Sequence, residues 1–303
     1  MRDAGRSIHC LAALAVAAAW ACAGDASWSV SEAKSVRAHA ARVAAGKADP
    51  NAKLGRDMPA LFVAVSSREC AAADTLLSHG ADSAAIWQGW TALQLACHPP
   101  GGCADVLLRH GAEPDKRVRG ATPLMLAVYA SEAGTARDLL AHGARVGLAY
   151  KGEFPIQEAA TRGDPDTVRV LLAGGADPNT PDARGANPLH LAVRAGHDEA
   201  AVLLLEAGSR LTEIPADPWT TARTYEWAAR HSDQQGKLDQ AARQRAIACE
   251  YFPAAVEQLE GDRDAAEEDV ELASERTEVC KERAGERGLS PPPWSPVRRP
   301  SPL

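Results

Sequence analysis

The sequence predicts an all-α fold of repeated helix-turn-helix units, and three observations carry that prediction. An opening recurs at Pro59-Ala60-Leu61, Thr91-Ala92-Leu93, Thr122-Pro123-Leu124, Phe154-Pro155-Ile156 and Asn187-Pro188-Leu189. Successive openings lie 32, 31, 32 and 33 residues apart. Every unit then closes on Leu-Leu-x-x-Gly, ending at Gly80, Gly111, Gly143, Gly175 and Gly208. Composition agrees, because 46% of residues are hydrophobic but only 5% are aromatic. A core made from Ala, Leu and Val suits small, closely stacked helices.

The fullest copy runs from Asn187 to Gly208, NPLHLAVRAGHDEAAVLLLEAG. Asn187-Pro188-Leu189-His190-Leu191-Ala192 resembles the T-P-L-H-x-A opening of an ankyrin repeat, and an internal period of about 33 residues is that family's signature. The resemblance implies a solenoid of helix-turn-helix units with β-hairpin fingers, followed here by a C-terminal helical extension. Within a unit, Thr-Pro starts the first helix, the hydroxyl capping it and Pro filling its first turn. Gly163 and Gly196 mark the turn between helices, the second helix carries its Leu pair inward, and the closing Gly supplies a left-handed cap. One unit cannot bury its apolar face alone, so neighbours stack and share stability. For His190 the resemblance implies a structural hydrogen bond to a neighbouring loop.

In chain order, Arg2 and Arg6 precede an apolar run from Ile8 to Ala21, and Ala21-Cys22-Ala23 offers a small-x-small cleavage site. Residues 1–23 therefore read as a secretory signal peptide, too short to span a bilayer comfortably. A second reading stays open: Ala19-Trp20-Ala21-Cys22 loosely resembles a bacterial lipoprotein box, and a lipidated Cys22 would anchor an outer-membrane lipoprotein instead of a free periplasmic protein. Residues 24–35 read as a linker. Residues 36–250 read as the repeat array with its caps. VRAHAARVAAGKADPN (36–51) is the N-terminal cap, since it keeps the Ala-Asp-Pro-Asn exit that recurs at Asp177-Pro178-Asn179. Arg223-Thr-Tyr225-Glu-Trp227-Ala228 resembles the opening of a sixth unit, continued by a polar capping helix over Lys237–Glu250. Residues 251–287 form an acidic helical segment, with Pro253 starting or kinking a helix. Residues 257–287 hold twelve acids against five bases, a net −7 that equals the charge of the whole chain. Its apolar positions Leu259, Ala266, Val270, Ala273, Thr277, Cys280 and Ala284 mark a narrow seam for another helix. Residues 288–303 are a Pro-rich tail.

Export changes how the cysteines read. Cys97 and Cys103 flank the turn of the irregular second unit and are the expected pair there. Cys249 and Cys280 flank the acidic segment and are the other pair, with Cys70 left single and packed. The alternative is five buried thiols. A zinc site is disfavoured because no CxxC or CxxH spacing occurs.

Catalytic motifs are missing from the sequence: there is no G-x-S-x-G, P-loop, HExxH, EF-hand or dinucleotide fingerprint. A non-enzyme without cofactor or small-molecule substrate is expected; the competing class places chemistry in the acidic segment at Glu267, Glu268 or Asp269. His79, His110 and His142 precede the closing Gly of their units, but stacked helices sit ~8–10 Å apart, so the three cannot share one metal. Interaction with the last helix carbonyls explains each better. Asp164 and Asp166 read as caps of the second helix in their unit.

Family resemblance places partner binding on the finger tips and the concave face of the first helices. The frame then selects Arg56, Trp87, Gln88, Trp90, Arg119, Tyr150, Lys151 and Arg184 on fingers, and Tyr129, Arg162 and Arg194 at inner-helix ends. Met58, Glu153, His98 and Thr161 share those faces, with Arg230 added if the sixth unit is real. The set is rich in Trp, Tyr and Arg, the residue types of interface hot spots, and is basic in an acidic chain. A protein partner with an acidic patch is expected, and no nucleic acid. The membrane enters only if Cys22 is lipidated. Family analogy offers two periplasmic roles, an immunity protein or inhibitor of a toxin, and a scaffold for an envelope enzyme such as one of oxidative defence.

Overall fold

A computed structural model of the chain describes residues 30–97, 102–117, 119–211, 217–262 and 265–286. The expected signal segment 1–23 with Cys22, His98 and the expected tail 288–303 lie outside the described residues. The chain forms two compact units, the first holding residues up to 155 plus 173–176, the second residues 156–172 and those from 177 on.

In the first unit, α1 (Val30–Ala44) precedes three helix pairs: α2 (Ala60–Ser66) with α3 (Cys70–Ser78), α4 (Ala92–Ala96) with α5 (Ala104–Arg109), and α6 (Pro123–Tyr129) with α7 (Ala133–Ala141). Fingers β1 (Lys53–Leu54) with β2 (Met58–Pro59), and β3 (Ile86–Trp87) with β4 (Trp90–Thr91), are two-residue antiparallel hairpins. α1 buries Val36, Ala40 and Val43, one face at helical spacing. It starts at Val30, so the second half of the expected 24–35 linker is helical.

The second unit holds nearly all of α8 (Pro155–Arg162) and α9 (Pro165–Ala173), then the pair α10 (Pro188–Ala195) and α11 (Asp198–Glu206). Three longer helices follow: α12 (Pro218–Gln234), α13 (Leu238–Gly261) and α14 (Glu267–Glu286).

The openings act as the sequence indicates. The Thr91 and Thr122 hydroxyls accept from the backbone N–H three residues on, and Asn187 does the same in α10. Pro59 stands at the cap of α2 and offers no side-chain acceptor. The closing glycines all take left-handed φ between 80° and 92°. The first leucine of each pair, Leu76, Leu107, Leu139, Leu171 or Leu204, is fully buried; of the second, Leu77 and Leu108 are buried slightly less deeply and Leu140, Leu172 and Leu205 are half-buried. Consecutive helical residues point 100° apart, so only one of two can face the stack squarely.

Joints between neighbours come from the exit loops. Asn51 donates through Nδ2 to Gly80 O (3.1 Å) and accepts at Oδ1 from Asp82 N (2.8 Å). Asn179 repeats both bonds with Gly208 O (3.2 Å) and Arg210 N (2.8 Å). Asp115 holds the equivalent joint through Arg145, accepting from its N and Nε. The Ala-Asp-Pro-Asn exit is therefore a clamp. In the T-P-L-H position, His190 Nδ1 accepts from Asn187 N (3.3 Å), closing a reciprocal cap, while Asn187 Nδ2 reaches the next loop at Arg210 O (2.8 Å). Gln94 and Gln157 occupy the same position and themselves donate to the following loops, at Lys116 O and Thr180 O.

Two expectations for the C-terminal part change. Arg223–Ala228 lies inside α12 rather than opening a sixth unit, because Asp217 caps that helix earlier, accepting from Thr220 N, with Pro218 in the first turn. The boundary expected at residue 250 falls inside α13, which continues through Pro253 to Gly261. Proline removes one intrahelical bond, but buried Phe252, Ala255 and Leu259 hold both halves to one apolar cluster. The expected seam packs there too, with Ala273 buried and Val270 and Cys280 half-buried.

Cysteine pairing also differs. Cys103 bonds Cys70, not Cys97, with Cα atoms 5.1 Å apart and a sequence separation of 33. One repeat length brings the two inter-helix turns side by side, so the partner sits in the preceding unit. Cys97 closes α4 as a buried thiol, donating to Leu93 O (3.1 Å). Burial, with the charge of Glu132 adding to it, pushes that thiol far above its ordinary range. Cys249 and Cys280 are joined, α13 to α14.

Candidate partner-binding surface

The fingers of the first unit are tight reverse turns. Gln88-Gly89, Arg119-Gly120 and Lys151-Gly152 each place both residues at positive φ, the non-glycine members at 50°, 55° and 52°. That is the backbone of a type I′ hairpin, whose twist matches the flanking strands. Trp87 pairs across its finger with Trp90, and Tyr150 bridges Glu153. The turn therefore projects Gln88, Arg119 and Lys151 outward, and all three are exposed.

Neighbouring fingers then lock together. Arg119 Nη2 donates to Gln88 O (3.3 Å), and its guanidinium lies 5.3 Å from the centre of the Trp90 ring. A Cβ on Gly89 would come within 3.1 Å of that Nη2, so the missing side chain makes the approach possible. The Tyr150 ring sits against Gly120, Lys151 Nζ lies 5.2 Å over it, and Tyr129 meets it edge-on at 6.4 Å. Trp87 packs toward Phe62 at 6.0 Å. Seven of the residues selected by the repeat frame thus fall on one connected surface: Trp87, Gln88, Trp90, Arg119, Tyr129, Tyr150 and Lys151. Its aromatic rings are half-buried and serve the stack, while its cations stay in water. Ile86, 59% exposed beside Trp87, was not selected from sequence. Its signal was an apolar residue in a finger strand, which pattern alone reads as ordinary. Arg56 lies in the short 3-10 turn Gly55–Asp57 of the first finger.

The second unit carries Arg162, Arg184 and Arg194, all exposed. Arg162 ends α8 and pairs with Glu158 at 3.5 Å. Arg184 stands on a finger turn held by Asp182, whose Oδ1 accepts from Arg184 N and Ala186 N (both 2.8 Å). Arg194 is in the last turn of α10.

Histidines on the second helices have separate partners. His79 Nδ1 and His142 Nδ1 donate to their own helix carbonyls, Thr75 O (2.8 Å) and Asp138 O (2.9 Å). His110 Nε2 instead donates to Asp74 of the preceding repeat (2.8 Å), and His142 Nε2 lies 3.8 Å from Asp105. Desolvation, then the charge of Asp105, holds the Asp138 carboxyl above its usual range. Asp164 caps α9, accepting from Thr167 N and Oγ1. Among the described residues no group of three or more His, Cys, Asp or Glu side chains is placed to hold a metal ion. No described helix is long and apolar enough to cross a membrane.

Comparison with known families agrees with this architecture. A model described as ankyrin repeats (3 copies) matches residues 61–150 and again 124–214, together about half of the chain. A comparison with curated proteins finds no match. Paired helices at a period of about 33 residues, hairpin fingers and the family match together establish that the chain belongs to the ankyrin-repeat family.

Proposed function

We propose that this chain is an exported, non-catalytic binding protein that holds a protein partner by an acidic patch. Ankyrin repeats make it a protein–protein interaction module in general terms. One observation carries the finer reading: Arg119 and Lys151 stand exposed on rigid hairpin tips, each braced over an aromatic ring. Cations braced on aromatic rings, Arg119 by the preceding finger and Lys151 by Tyr150 of its own, lose little freedom on binding, and their charge selects an acidic counterpart. Ile86, exposed next to Trp87 on the same surface, is the apolar anchor. Two disulfides support an oxidising compartment, and so export. Periplasmic inhibition and scaffolding both remain roles for such a surface, and the partner's identity separates them.

The test is capture from envelope extract with the wild type and with Arg119→Glu/Lys151→Glu. A single acidic protein retained by the wild type and lost by the variant, at unchanged melting temperature, is the expected result. Equal capture by both would remove the assignment of this surface.

A further inference from the structure

The C-terminal helices carry a device that the finger surface does not use. α14 (Glu267–Glu286) packs along α13 through a narrow apolar seam. Of its described side chains only Ala273 is buried, entering the apolar cluster of Trp219, Phe252, Ala255 and Leu259 on α12 and α13. Val270, Leu272 and Cys280 lie half-buried against the same cluster. The helix also repels itself, since residues 267–281 hold six acids against Arg276 and Lys281. Most of the stability of a helix in a protein comes from packing its apolar face, and the buried part of that face on α14 is Ala273.

Two side-chain links between α14 and its neighbours are an ion pair and a disulfide. Arg276 Nε lies 3.3 Å from a Glu226 carboxylate oxygen on α12, but this buried Nε makes no hydrogen bond, so the partly exposed pair is a weak tie. The Cys249–Cys280 disulfide joins α13 to α14 covalently, and both cysteines are half-buried. The α12–α13 pair, by contrast, has its own core and its own polar ties. Trp219, Ala222, Tyr225, Ala248 and Phe252 are buried there. Gln258 on α13 accepts from Trp219 N and donates to Asp217, and Ser232 donates to Gln244. None of those ties involves α14.

We propose that Cys249–Cys280 is a redox latch: oxidised, it docks the acidic helix α14; reduced, it releases α14 as a mobile acidic arm while α12 and α13 stay folded. The chemistry is thiol–disulfide exchange with a dithiol reductant. One reductant thiolate attacks a bridge sulfur to form a mixed disulfide, and its second thiol displaces the remaining protein sulfur. Two electrons and two protons pass to Cys249 and Cys280, and the reductant leaves as its own disulfide.

Hydrogen exchange followed by mass spectrometry on the full chain tests this, comparing oxidised protein, dithiothreitol-reduced protein, and Cys249→Ser/Cys280→Ser, which keeps the Cys70–Cys103 bridge. Exchange in α14 should rise about 100-fold or more in the reduced protein and in the variant, the scale of one lost cross-link. Exchange in α12 and α13 should change by less than about threefold, as for separate opening units. Unchanged protection of α14 in either sample would overturn the proposal. So would loss of protection in all three helices together, which would make the bridge part of one cooperative core.

Discussion

At Gly163, between α8 and α9, backbone and neighbour both exclude a side chain. Its φ is +68°, and a Cβ there would lie 2.2 Å from the His197 ring. That ring is held by its own bond, Nε2 donating to Thr161 O at 3.1 Å. Gly196, one repeat on, also has positive φ (+79°) but open space around it. Gly196→Ala should therefore cost only the left-handed backbone term, about 1–2 kcal/mol. Gly163→Ala should cost about 2–4 kcal/mol, because it also displaces His197 and strips its hydrogen bond. Urea denaturation of the two variants checks this; equal losses would mean that the ring moves aside freely. The glycine itself was legible as a turn residue. The histidine against it was not, because 34 residues separate the two and only stacking brings them together.

Helix faces decide the element scale. The recurring Leu pair marks every second helix, yet only its first member is fully buried in each repeat. Leu171→Ala should cost about 2–5 kcal/mol, as a core truncation with a residual cavity. Leu172→Ala should cost clearly less, and comparable losses would place both side chains in the core. On α7, Asp138 is ionised against desolvation and the charge of Asp105. A raised carboxyl pKa means the folded state binds that proton more tightly than the unfolded chain does. The ionised form thus lowers stability at neutral pH, and the loss is recovered as pH falls through the raised value. Asp138→Asn should melt higher than the wild type at pH 7, and the difference should shrink on acidification. Melting curves across that range check the sign, and a difference that grows toward acid would contradict it.

For the whole molecule, disulfide topology reports whether neighbouring turns are truly adjacent. Of the five cysteines from Cys70 onward, only Cys97 is unpaired, and it is buried. Alkylation of these positions should therefore find none reactive in the native protein and one, Cys97, after non-reducing denaturation. Labelling of Cys70 instead would restore the local Cys97–Cys103 pairing. The finger surface is equally a product of adjacency, since Arg119 meets Trp90 and Gln88 only because successive hairpins lie against each other.

Repeat period, helix starts, closing glycines and the choice of finger tips were all determined by the sequence alone. Each rests on local chemistry: a hydroxyl or amide that caps, a proline that fits a first turn, a glycine that accepts positive φ. The family match over residues 61–214 rests on that same local pattern. Tertiary structure alone decided which cysteine bonds Cys103, which leucine of each pair is buried more deeply, and that Asn51 and Asn179 are clamps. It also decided that Trp90 and Tyr150 brace their neighbours and leave the cations outermost, and that α12 and α13 run as long helices past the expected boundaries. These outcomes depend on contacts made one repeat or more away, where a linear pattern records the spacing but not which side chain faces which.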